Sequence, residues 1–476
     1  MKKIFLALLL LMLCESSYSQ LPNHNMTFLA NLNQHITTDT YSGCWGYVAP
    51  DSSEYAILGT HLGTAFIDIT DNSNIHEVDF VATAFLGSGN LWREIKVYSH
   101  YAYVVSEETN CGVEIFDLQY LPDSVHLVRR FEPEGHLRTH SISQSGPYLL
   151  INGCNISFGF GVTILDLTVD PELPIKRGSL NTYYVHDARM VGDTIWAACF
   201  ANGMRIIDAV NKDSLRFINS FLTPPHLAVH SSALTKDRKY VYTTDEAFSP
   251  TPGSLKIFDV QNVNSITFVR DWRPTNITTS QVHNIEIYGD TAVIAHRTAG
   301  IRVLDISNPV NPVEIAWYDT FPLNNNNIFS GAWGVYMFPS KKIIASNKEN
   351  GLWVVQLGKQ VKLNETFSKV IDFDLHQNYP NPFNPVTKIK FDITLDARRL
   401  PDGKAGETQD VKLVVYDAVG REVQTLVNQK LSSGSYDIEF SGNNFPSGLY
   451  YYRIAIHSDK LETDNFSEVK KMILLK

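Results

Sequence analysis

Positive charge is in short supply in this chain. Its 476 residues carry 40 Lys and Arg against 50 Asp and Glu, a net charge of −10. A nucleic-acid partner usually demands a basic face, so that class is excluded. Cysteine is scarce as well, five in all, which excludes a small disulfide scaffold. No segment is long and apolar enough to be a membrane helix. Serine elbows, HExxH, P-loops and dinucleotide glycine patterns are missing, so no catalytic motif announces a reaction. Aromatics, by contrast, reach 11%, and Lys/Glu-rich tracts are few. That balance belongs to a packed β-protein rather than a disordered chain.

What the chain has is repetition. A small residue, alternating apolar positions and an aspartate recur in GTAFIDIT, GVEIFDLQ, GVTILDLT, GMRIIDAV, SLKIFDVQ and GIRVLDIS, and GLWVVQLG is a seventh copy without the acid. The shared position holds Asp68, Asp117, Asp166, Asp208, Asp259, Asp305 and Gln356, spaced 49, 49, 42, 51, 46 and 51 residues apart. A period in the forties signals stacked supersecondary units. The fourth repeat reads as four strands, HDARMV, TIWAACF, GMRIIDA and LRFINSF, with Gly192-Asp193 as the first turn. The sixth repeats the scheme around Gly289-Asp290. A Gly-Asp pair between alternating runs predicts a tight hairpin. Four antiparallel strands at this period make a propeller blade, so seven copies predict a seven-bladed β-propeller.

The seventh repeat stops after three strands, while Met26 to Leu32 ahead of the first repeat resembles an outer strand. This N-terminal strand is expected to complete the last blade and latch the ring, because an open edge is a liability. The recurring Asp follows the third strand, where a carboxylate caps turn amides. Six copies spread around a ring do not converge on one substrate, so the Asp is expected to be structural.

At the N-terminus, Lys2 and Lys3 precede an apolar stretch from Ile4 to Leu13, and Ser17-Tyr18-Ser19 is a small-x-small cleavage site. Residues 1–19 therefore read as a signal peptide. Cys14 does not make a lipoprotein signal, because Leu13 is bulky where a small residue is wanted. Export leaves Cys44, Cys111, Cys154 and Cys199. Either all four are buried thiols or some pair. Cys111 and Cys154 both follow second strands in adjacent blades, so a Cys111–Cys154 bridge is the expected disulfide.

Residues 20–358 form the predicted propeller and 359–372 a polar linker. Then comes Asn378, Tyr379, Pro380, Asn381, Pro382, Phe383, Asn384 and Pro385, followed by strand-like runs such as VTKIKFDI, VKLVVYDAVGREV, PSGLYYYRI and KKMILLK. Their spacing fits a small Ig-like β-sandwich over 373–476, with a polar loop from Leu395 to Asp410. This segment resembles the type A sorting domain of type IX secretion, found in Bacteroidetes and related phyla. The resemblance implies export to the periplasm, passage through the type IX machinery, and a protein attached to the surface or released. The phrases GIRVLDISNPVNPVEIAWYD, WGYVAPDSSEYAILGTHLGTAFIDITD and LWREIKVYSHYAYVVSE resemble the LVIVD-repeat proteins, and among them the choice-of-anchor B family. That likeness implies a surface-associated propeller and decides no ligand.

Aligning the blades exposes a second recurrence. The residue opening each innermost strand is Trp45, Arg93, His140, His186, His230, His283 and Trp333. Innermost strands line the channel, so Arg93 and four histidines are candidates to meet at one mouth. Glu107, Glu246 and His296 lie on loops of the same face, with His61, Glu108, Asp245, Arg297, Lys348 and Glu349. Imidazoles at His140, His186, His230 and His283 suit a divalent transition metal, although no cofactor is predicted. The competing reading has these rings bonding loop carbonyls near the axis. The leading expectation is a monomeric cell-surface binding module for a protein, glycan or small molecule. The alternative is a metal-dependent or His-assisted hydrolase or lyase at the channel mouth.

Overall fold

A computed structural model describes residues 23–358, 371–395, 409–457 and 465–476, apart from 38–40, 134, 156, 226–227, 248–250, 276, 419 and 433. The signal peptide, most of the linker, the polar loop over 396–408 and His226 lie outside the described residues. The chain divides into two compact units, Met1–Lys359 and Gln360–Lys476.

The first unit is a seven-bladed β-propeller. Alternating apolar phrases become strands because each faces a neighbouring blade on both sides. The fourth blade runs Asp187–Val191, Thr194–Ala198, Met204–Asp208 and Arg216–Phe221, all antiparallel. Gly192 sits at φ +62° between paired Val191 and Thr194, a conformation that glycine adopts without strain. The blades before and after repeat this order, and the innermost strands touch successively from the first to the seventh and back to the first. Met26–Leu32 pairs antiparallel with Gly351–Leu357 and supplies the seventh blade's outer strand. Sequence reading missed one detail of this latch: Asn23–His24 also pairs with Tyr318 and Trp317, adding a fifth strand to the sixth blade. The N-terminal segment thus bridges two blades.

The core is divided into seven apolar clusters, each joining two adjacent blades. Between the first two, Phe66 and Phe116 meet edge to face at 5.4 Å, both fully buried. No blade covers its own apolar faces, which is why the unit stands only as a closed ring.

The recurring aspartates are turn devices. Oδ1 of Asp68, Asp117, Asp166, Asp208, Asp259 and Asp305 accepts the backbone N–H two residues on, at 2.8, 2.9, 2.9, 2.9, 3.0 and 2.8 Å. In the seventh blade, Gln356 Nε2 donates instead to Ser340 O at 3.1 Å.

The second unit is a β-sandwich of a three-stranded sheet, Ile371–Leu375, Val386–Leu395 and Gly434–Ser441, and a four-stranded sheet, Gln409–Asp417, Glu422–Leu431, Gly448–His457 and Asn465–Leu474. The Asn/Pro-rich motif is stitched into it. Asn378 donates its backbone N–H to Tyr452 Oη at 2.8 Å and its side-chain amide to Thr387 Oγ1 at 2.9 Å. Phe383 is buried in the core, and its backbone exchanges bonds with Ile473 and Leu475 at 2.9 Å each.

Candidate functional site at the channel mouth

Four of the seven inner strands have a histidine within two residues of their start, and the ring brings those four side chains together. Successive ring centroids lie 4.0 Å apart for His140 and His186, 4.2 Å for His186 and His230, and 4.2 Å for His230 and His283. Trp333 continues the arc 5.1 Å beyond His283. Residues 44 to 53 apart in sequence become neighbours because blade geometry repeats and their register does not slip.

Backbone carbonyls orient two of the rings. His186 Nδ1 donates to His230 O at 3.2 Å, and His283 Nδ1 donates to Trp333 O at 2.6 Å. A carbonyl only accepts, so each Nδ1 carries the proton and each neutral ring keeps its Nε2 lone pair. At one end of the arc Glu107 Oε1 lies 2.5 Å from His140 Nδ1. The His140 and His186 Nε2 atoms are 2.6 Å apart, a contact that requires a shared proton. At the other end Glu246 sits 3.8 Å from His230 Nε2 and 3.7 Å from His283 Nε2, and pairs with the buried Arg297 guanidinium. Arg297 in turn lies 4.2 Å from the Phe329 ring and 4.7 Å from that of Trp333.

Burial sets the charges here. Desolvation pushes His230 down to about 4, and holds His186 and His283 well below the usual imidazole value. Burial works against the Glu246 carboxylate, but His230 and Arg297 together hold it below its ordinary value. Glu107 is held low in the same way, burial being outweighed by its bond to His140.

Further into the channel lies a network that sequence reading missed. Arg189 makes a bidentate pair with Glu286 at 2.7 and 2.6 Å. Asp187 accepts from Ser231 Oγ at 2.8 Å. Trp333 Nε1 donates to Glu94 at 3.3 Å, and the Lys96 ammonium lies 3.5 Å from the Trp45 ring centroid. Burial opposes the charge of Arg189, yet Glu286 and Asp187 keep its pKa above the arginine norm. Burial raises Glu94 and lowers Lys96. With Trp92 and Phe329, these side chains and the four histidines enclose a cavity of about 240 Å³. A signal was present in the sequence: Lys96, Arg189 and Glu286 stand three residues after Arg93, His186 and His283, the aligned positions of their blades.

Three expectations are corrected. Arg93 does not face the channel. Its guanidinium is fully buried against Glu114 at 2.8 Å and Asn90 at 3.2 Å, where the charge is neutralised inside the blade. His296 also points away: Ser280 Oγ lies 3.2 Å from its Nδ1 and Trp272 meets its ring edge to face. The expected Cys111–Cys154 disulfide is not formed; Cys44, Cys111, Cys154 and Cys199 are all free and buried. Cys111 packs 3.7 Å from Asn90 Oδ1 and Cys154 lies 3.2 Å from Thr139 Oγ1, so each thiol contacts a side chain of a neighbouring loop. Of the remaining loop charges, Asp245 is spent on a buried pair with Lys256, and Glu108 and Glu349 accept the backbone N–H of Gly89 and Gly331.

Residues 280–320 match the LVIVD repeat, and residues 377–473 match the family described as the secretion system C-terminal sorting domain. The chain carries an LVIVD repeat and a secretion-system sorting domain. The sorting domain marks the protein for the type IX machinery and for delivery to the cell surface or beyond. No helix among the described residues is long and apolar enough to cross a membrane. No curated protein matches the chain in sequence. Among solved structures, the chain is similar to the WD40 β-propeller domain of Doa1, with 11% identity, a TM-score of 0.48, and 71% of this chain and 98% of that one covered. It is also similar to YCF48 bound to a D1 peptide, with 8% identity, a TM-score of 0.47, and 71% and 96% covered.

Proposed function

We propose that the protein acts outside the cell as a non-catalytic binding module, taking a small polar ligand at the channel mouth. The observation that carries this reading is the cavity itself. Its walls are aromatic, from Trp45, Trp92, Phe329 and Trp333, and its polar side chains converge from several blades. Polar groups converging beside aromatic walls are the make-up of a ligand site. A volume of about 240 Å³ admits a small molecule but not a folded partner. The propeller closes its own ring, so a monomer completes the site.

Tryptophan fluorescence tests this directly, because three indoles line the cavity. The purified full chain, in the presence of a chelator, is titrated with monosaccharides, amino acids, polyamines and carboxylates. A saturable change with one of these classes is expected, and it disappears in Trp45→Ala and Glu94→Gln variants of normal melting temperature. No response from any class, or a response indifferent to both variants, overturns the reading.

A further inference from the structure

We infer that the histidine arc is a binding site for one divalent transition-metal ion, held by His186, His230 and Glu246 with His283 beside them. This names a ligand class for the mouth and rests on reading the mouth as a ligand site. The donor atoms of His186, His230 and Glu246 all lie within 4.8 Å of one another. Bonds of about 2.0 to 2.2 Å to each require only side-chain rotations that draw these atoms inward.

The surroundings are those of a ligand set. Backbone carbonyls hold Nδ1–H of both His186 and His283; the His283 Nε2 lone pair remains for the ion, and that of His186 becomes available when the ion displaces the His140 Nε2–H it now accepts. Such bonds are the usual means of fixing tautomer and ring direction around a metal. His230 is the least satisfied ring: its buried Nδ1 has no hydrogen-bond partner among the described residues, and its Nε2 has only Glu246, 3.8 Å away. A buried imidazole without partners costs free energy that coordination removes. Arg297 grips Glu246 Oε1, leaving Oε2 turned toward His230.

The donors choose the ion. Imidazole nitrogen with one carboxylate suits zinc, copper or nickel, whereas calcium and magnesium take oxygen ligands. Thiolate does not contribute, because Cys44, the cysteine lining the same cavity, is a fully buried thiol raised to about 12 by burial.

The test uses the full chain, stripped with a chelator, dialysed and titrated with Co²⁺ as the spectroscopic probe, then with Zn²⁺. One Co²⁺ per chain is expected, with visible d–d bands, without a thiolate charge-transfer band, and displaced by Zn²⁺. His186→Gln/His230→Gln abolishes binding. Glu246→Gln keeps the side-chain volume and weakens binding by at least about 10-fold; it decides the matter if the histidine variant fails to fold. His376→Gln, in the second unit, binds as the parent does. No saturable binding, undiminished binding in the mouth variants, or a thiolate band overturns the inference. If metal binding fails while the chelated protein still responds to an organic ligand, the binding-module reading stands and only the metal assignment falls.

Discussion

The outer turns and the inner mouth of this propeller are built from the same repeat and treat it oppositely. At the outer turn six blades keep one aspartate, which makes the same bond to the same backbone position each time. At the mouth the equivalent position changes from Trp to Arg to His, and each histidine has a different set of partners. Uniformity around a ring serves folding, since every blade faces the same turn problem. Variation serves a site, since a ligand on the axis meets all blades at once.

The sharpest way to break that comparison is to damage the two places and compare the cost. Glu286→Ala leaves the partly buried Arg189 guanidinium with only Asp187, 3.8 Å away, and a loss of about 3 kcal/mol in unfolding free energy is expected from denaturant melts. A loss below about 1 kcal/mol would show that the inner pair is worth no more than a surface ion pair.

Acid comes next. His136 is buried, stacked edge to face on Phe158 and 2.7 Å from Thr139 Oγ1, and burial lowers it to about 4. In the unfolded chain it titrates near 6.5, so the unfolded state takes up the proton first. Stability is therefore full above pH 6.5 and declines as pH falls toward 4, by about 3 kcal/mol for this residue. His296, lowered to about 3 by burial and by Arg302, adds to the same decline. Melting temperatures of the parent and of His136→Gln across this range check it, the variant showing the shallower slope.

Smaller still is the turn. Asp305→Ala removes one exposed bond to Ser307 N–H and is expected to cost about 1 kcal/mol, with ligand and metal binding untouched. The smallest effect on propeller stability is expected from removing residues 371–476. The propeller keeps its melting temperature, while fractionation finds the truncated protein retained in the periplasm instead of on the surface.

Much of this was legible in the residues. The Asp spacing counted the blades, the orphan segment at Met26 located the latch, and the histidines at the strand starts located the mouth. Arg93 and His296 were misplaced because strand position does not say which way a long side chain turns once a buried partner such as Glu114 is on offer. The Arg189–Glu286 pair joins two different blades, and nothing local in either strand announces the other. The free thiols reflect loop paths between strands, which spacing does not reveal.

The central claim is that the repeat's aspartates hold the scaffold while its histidine arc holds the ligand. The most direct measurement is the Co²⁺ stoichiometry of His186→Gln/His230→Gln beside that of Asp68→Ala/Asp305→Ala, both in the full chain. The account predicts none bound in the first and one per chain in the second. Equal binding in the two, or loss in the aspartate variant alone, would contradict it.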